Sequence, residues 1–361
     1  MKARLMSRQN ITTAVGIAIS VVLLVALFAH YGGAGQDRLS LGQIWISFGE
    51  APPLGIAAVI VLHLIVLTFK ACRWEVVLRS VPHPRGLPGA RVATDPAARW
   101  LVFDSLFLGY FGNYVLPAKL GELGRSLLYS RRAEVAFPAI LATIVFERIV
   151  DALVLVLFFF AASWFLPPGL PDWLETGARL VGIGGCMGLL VLYVLLRVLP
   201  STGSEGAGLQ ERLSQLASKF RNGLSVLQRP RLAAAAVGWT ILIWGVECFA
   251  VYVCIRTFVD EAPLQVFWTA AVLQTVISSF AIAAPSAPAG LGIHQWASVV
   301  VLVGAYEVGL NETMAVSFLV TGAVIFWTVP LGLFGLVRQG ASLSELKGQA
   351  RNTEGTGLED D

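Results

Sequence analysis

Two short runs put charge into a strongly apolar chain at spacings that match a helix. In Asn113-Tyr114-Val115-Leu116-Pro117-Ala118-Lys119-Leu120-Gly121-Glu122-Leu123-Gly124-Arg125, a proline break is followed by Lys119, Glu122 and Arg125 at intervals of three. That interval sets them along one helix face. Glu122 can pair with either cation, which leaves one positive charge for an anion. In Glu147-Arg148-Ile149-Val150-Asp151, inside the apolar run from Val135 to Leu166, Glu147 and Asp151 share a face and Arg148 reaches Asp151 at i+3. Each such charge costs about 2.5–3.5 kcal/mol at the centre of a membrane helix. These residues must therefore face other helices, and Glu147 or Asp151 is expected to meet Arg125 or Lys119. A salt-bridged stripe facing headgroup water and a purely structural network are the alternatives. Buried ion pairs add little net stability, so a hydrated substrate path explains the charges better.

A third run, Ala284-Pro285-Ser286-Ala287-Pro288-Ala289-Gly290-Leu291-Gly292-Ile293-His294-Gln295, reads as a helix break and restart. Backbone N–H groups around Ser286, Gly290 and Gly292 would form an anion-binding end. His294, read as the only histidine in such a setting, titrates near neutral pH in its ordinary state; packing is the alternative role. Lys70, Arg73 and Arg79 beside Trp74 read as boundary anchors, with Arg73 also placed to contact a headgroup. Cys72, Cys186, Cys248 and Cys254 show no CxxC pair and no Cys/His ligand spacing. Neither a metal nor another cofactor is expected. No nucleophile–base pair accompanies the carboxylates.

The elements that must carry these residues are membrane helices. Hydrophobic residues make up 56% of the 361 and charged residues 14%, and the mean hydropathy is +0.72. A chain of this kind cannot cover itself with polar surface in water. Apolar segments fall at about 11–31, 52–69, 100–116, 135–166, 178–196, 232–258, 264–284, 290–305 and 313–336, several of them long enough to cross about 30 Å of hydrocarbon. If all crossed, basic loops would lie on both sides. Treating 100–129 and 264–305 as re-entrant hairpins leaves about six full crossings. It places only Arg38 and Arg179 outside, with Arg256 near the outer boundary, a strong positive-inside asymmetry. Pro117, Pro285 and Pro288 break the hairpins, and the halves read as an inverted repeat with a site near the midplane.

The sequence thus predicts an all-α polytopic membrane protein, with one transmembrane domain over 1–340 and a disordered cytoplasmic tail over 341–361. Both termini lie in the cytoplasm, and the setting is a bacterial-type inner membrane. An amphipathic helix in 200–231 lies on the interface or serves as a solvated linker. The GxxxG in 182–188 reads as close helix packing.

Taken in order, Arg73-Trp74, Asn-x-x-Leu-Pro-x-Lys-x-Gly-Glu-x-x-Arg at 113–125, Glu-Arg-x-x-Asp at 147–151 and Pro-x-Gly-Leu-Gly at 288–292 resemble the lysylphosphatidylglycerol synthase transmembrane-region family, a flippase-like domain. The resemblance covers nearly the whole chain. It departs at Ala289, and at His294-Gln295 where the family typically has Arg-Glu. It implies translocation of a lipid between leaflets, without an aminoacyl-transfer domain in this chain. The expected function is therefore movement of a lipid or lipid-linked molecule with an anionic, phosphate-bearing headgroup, with no nucleic acid partner. An intramembrane enzyme, or a non-catalytic partner of a lipid or lipid-linked-sugar transferase, is the alternative. The expected substrate-binding set is Arg73, Asn113, Lys119, Glu122, Arg125, Glu147, Arg148, Asp151, Ser286, Gly290, Gly292 and His294, with no catalytic residue and no metal ligand.

Overall fold

Proline sets three helix starts. Its missing N–H and fixed φ suit the first helical position, and Pro53, Pro96 and Pro230 open three of the helices. A computed structural model describes residues 39–82, 95–115, 120–165, 222–259, 264–283 and 292–340, with Val22 and Thr176 isolated. Among the described residues every regular element is helical. In chain order they are α1 (Leu41–Glu50), α2 (Pro53–Leu78), α3 (Pro96–Val115), α4 (Leu120–Ala133), α5 (Phe137–Ser163), α6 (Pro230–Phe258), α7 (Leu264–Ala283), α8 (Ile293–Tyr306) and α9 (Leu310–Arg338). A 3₁₀ turn at Ser225–Gln228 precedes α6.

The helices α2, α6 and α9, of 26, 29 and 29 residues, are long and apolar enough to cross a membrane. With 27 residues α5 is comparable in length but carries Glu147, Arg148 and Asp151 near its middle. Together with the family reported below, these helices make the chain a multi-pass membrane protein. The expected segments at 11–31 and 178–196, most of 200–231, the tail at 341–361, and Lys119, Ser286 and Gly290 lie outside the described residues.

Most element ends follow the apolar segments, but α2 continues to Leu78, beyond the apolar limit expected at residue 69. Hydropathy drops at Lys70 and Arg73, yet charged side chains do not stop a helix whose backbone bonds are made internally. The extension carries Arg73 and Glu75 into the protein, where both are buried.

The chain forms two compact units. Unit 1 comprises Met1–Leu67, Val154–Ile183 and Ile243–Trp327; unit 2 comprises Thr68–Leu153, Gly184–Leu242 and Thr328–Asp361. The core of unit 1 gathers Val59, Phe159, Ile255, Phe267, Leu273 and Leu302. Its α8 starts at Gly292, whose φ of 86° is a region that side chains with a Cβ seldom adopt. The Gly292 N–H donates to Gln295 Oε1 at 2.7 Å, which satisfies one otherwise orphaned donor. A π turn at Val299–Val303 interrupts α8.

In unit 2, α3 and α4 form a tight hairpin. A Cβ added at Gly121 would lie 2.0 Å from the Gly109 carbonyl oxygen, and one at Gly109 would lie 2.9 Å from Arg125 Cβ. The close approach lets α4 deliver Arg125 to the interior. Leu108, Phe111 and Leu128 pack between the limbs, and Gly332 of α9 sits where a Cβ would strike Phe111.

Candidate functional site: an ion-paired core in unit 2

Arg73 on α2 and Glu147 and Asp151 on α5 form the centre of the site. Arg73 Nε donates to Glu147 Oε1 at 3.2 Å, and Nη2 donates to Asp151 Oδ2 at 3.3 Å. Its Nη1 donates to Asp151 Oδ1 as well and to Thr240 Oγ1 of α6 at 3.1 Å. The i, i+4 spacing of Glu147 and Asp151 lets two carboxylates hold one guanidinium fork. Arg73 is thus an interior ion-pair member, which corrects its reading as a boundary anchor.

Glu147 accepts a second guanidinium through its other oxygen: Arg125 Nη2 lies 2.7 Å from Oε2. Arg125 also lies over the Trp74 ring, 4.8 Å from its centroid. Trp74 is pinned by a bond from Nε1 to Thr143 Oγ1 at 3.1 Å. The expected meeting of α5 with the 113–125 run is made by Arg125 and Glu147, but the Arg125 guanidinium is not the free cation that the intervals of three implied. Glu122 lies 3.5 Å from Arg148 Nε, and Arg148 Nη1 lies 3.6 Å from Asp151 Oδ2.

Burial differs sharply within the group. The side chains of Arg73, Arg125 and Glu147 are nearly inaccessible, whereas that of Arg148 is 46% exposed and that of Glu122 29%. Leu106, Gly109, Tyr110, Asn113, Glu122, Arg125 and Arg148 line a small cleft. Two polar atoms there have no partner, Asn113 Oδ1 and Arg125 Nε. Lys70 Nζ lies over the Tyr110 ring, 5.5 Å from its centroid. Arg73, Arg125 and Arg148 face Glu122, Glu147 and Asp151.

Of the remaining expected residues, Gly292 and His294 belong to unit 1, with His294 Nδ1 3.0 Å from Ser317 Oγ. Sequence reasoning passed over several polar residues of the interior: buried His63 and partly buried Glu247 in unit 1, and buried Glu75, Asp104 and Thr240 in unit 2. His63 lies inside α2 rather than at a helix restart. The signal was present, since an ionisable residue inside an apolar run is itself informative. Glu75 is buried and pairs with Arg79 and Arg99. Asp104 accepts from Arg338 Nε at 2.8 Å and Gln339 Nε2 at 2.6 Å.

A bundle of long apolar helices with an ion-paired interior is the architecture of a polytopic membrane protein. Residues 13–332 match the family model described as the lysylphosphatidylglycerol synthase TM region, and the chain belongs to that family. It is also similar to a protein named glycosyltransferase AglD from Haloferax volcanii, 23% identical over 325 residues, covering 81% of this chain and 49% of that protein. The chain therefore spans about half the length of this curated relative. No solved structure matches it.

Proposed function

We propose that the chain moves a lipid or lipid-linked molecule with a phosphate-bearing headgroup between bilayer leaflets. The observation that carries this reading is the partly open Arg148, which lines a cleft backed by a rigid, ion-paired wall. Arg73 is held by two carboxylates and Arg125 by one, and both set the geometry. Arg148 makes only long contacts with Glu122 and Asp151, so a phosphate can take its guanidinium at small cost, and Arg is suited to hold phosphate in two places. The reading includes the arrangement drawn from the charges: six crossings, two re-entrant hairpins as an inverted repeat, and both termini in the cytoplasm.

The test is leaflet exchange of fluorescent phosphatidylglycerol and of a neutral fluorescent diacylglycerol in vesicles containing the purified chain. Wild type is expected to move the phosphate-bearing lipid preferentially. Arg148→Gln is expected to slow it roughly tenfold or more, the scale of one charge-assisted hydrogen bond of about 1.5–3 kcal/mol. Equal movement of both lipids, unchanged in Arg148→Gln, removes this reading. The name of the archaeal relative favours a second one, in which the chain presents a lipid-linked substrate to a glycosyltransferase. That reading gains if wild type moves neither lipid.

A further inference from the structure

Unit 1 holds a carboxylate that is paired differently from those of unit 2. Glu247 on α6 lies opposite His63 on α2, with Oε1 and Nε2 3.7 Å apart. His63 Nδ1 lies 2.8 Å from the Val59 carbonyl oxygen. A carbonyl only accepts, so Nδ1 carries the proton and Nε2 presents a lone pair when the ring is neutral. Without a further proton, two acceptors confront each other in an apolar interior. His63 Nε2 and Glu247 Oε2 are both buried and have no hydrogen-bond partner.

Such a confrontation is relieved by one added proton, on the imidazole or on the carboxyl. The interior makes an unpaired charge expensive, so the loaded, neutral pair is the form the surroundings accept. Arginine, which serves in unit 2, cannot give up its proton; a histidine can. The Glu247 side chain is 16% exposed and that of His63 1% exposed.

The titratable groups around the pair are few. His294 of α8 is within electrostatic reach of both members, with its own Nδ1 at Ser317 Oγ of α9. Cys248, next to Glu247 on α6, bonds toward Thr275 of α7. Among the described residues no Lys or Arg forms an ion pair with Glu247 or His63.

We propose that His63 and Glu247 form a proton-binding site within unit 1 that holds one exchangeable proton across the gap between Nε2 and the carboxylate. Loading adds a proton from water to the pair, unloading returns it, and no electron moves. The site stands independently of the lipid reading, because it concerns residues of the other unit and a different ligand.

The test uses the full chain, ¹⁵N-labelled at histidine, in phosphatidylcholine vesicles. The His63 Nε2 resonance is followed from about pH 5 to about pH 9, the range an imidazole normally spans. One titration step is expected in wild type. In Glu247→Gln its midpoint is expected to move by about tenfold or more in proton affinity, the scale of one neighbouring charge. Glu247→Asp, which keeps the charge one methylene further back, should move it less and provides the comparison if the glutamine variant fails to assemble. A resonance constant across the range in wild type, or a step that neither variant displaces, overturns the proposal.

Discussion

Glu147 holds two guanidiniums at once, one on each oxygen. Replacing it with glutamine leaves Arg73 with Asp151 as its carboxylate beside the Thr240 hydroxyl, and Arg125 with no carboxylate. Breaking a buried pair from one side costs about 3–5 kcal/mol. Glu147→Gln is therefore expected to lose most of its monodisperse fraction on heating in detergent, measured by size-exclusion chromatography. Glu122→Gln, at a partly exposed position, should remain near wild type. Equal losses would mean that the network is not the structural wall of the site. The charges of the two runs were legible in the sequence because helical spacing limits which faces they share. Their partners were only half legible: Glu147–Arg125 follows from adjacent segments, whereas Arg73 lies 74 residues away from Glu147 and no local pattern links them.

Among the elements, the α3–α4 hairpin depends on missing side chains. Gly121 has the Gly109 carbonyl and the Asn113 N–H at distances no Cβ tolerates, whereas a Cβ at Gly124 meets nothing within 4 Å. Gly121→Ala is expected to destabilise by about 1–3 kcal/mol through forced backbone separation. Gly124→Ala, mid-helix and unobstructed, is expected to stabilise by about 0.5–1 kcal/mol. Thermal melting of the two variants in detergent checks the pair, and a destabilised Gly124→Ala would contradict the open space beside it. Helix positions were readable from apolar length, whereas the starts at Pro53, Pro96 and Pro230 were not drawn from the sequence. The π turn in α8 was not, since Val299–Val303 is uniformly apolar and hydropathy does not register one extra residue in a turn. The Pro-x-Gly-Leu-Gly run is described only from Gly292 onward, where a positive φ explains the final glycine.

For the molecule as a whole, membrane class followed from composition, because a chain with so few charges has no soluble surface to offer. The division into two units did not, since α2, α5, α6 and α9 each contribute to both and no linker composition marks a boundary. One prediction belongs at this scale. A chain ending after Ile140 contains Arg73 but neither of its carboxylates, whereas one ending after Phe165 contains both. Pulse–chase labelling in cells should show the shorter chain degraded severalfold faster, and Arg73→Leu should lengthen its lifetime; equal half-lives would mean that Arg73 does not depend on α5. The same separation has a meaning in time. Glu147 and Asp151 follow Arg73 by 74 and 78 residues, and ribosomes add about 5–20 residues per second. During synthesis Arg73 therefore waits about four to sixteen seconds for its counterions. Until α5 is made the Arg73 guanidinium lacks both of these carboxylates, so the ion-paired core of unit 2 can close only after Asp151 has been added.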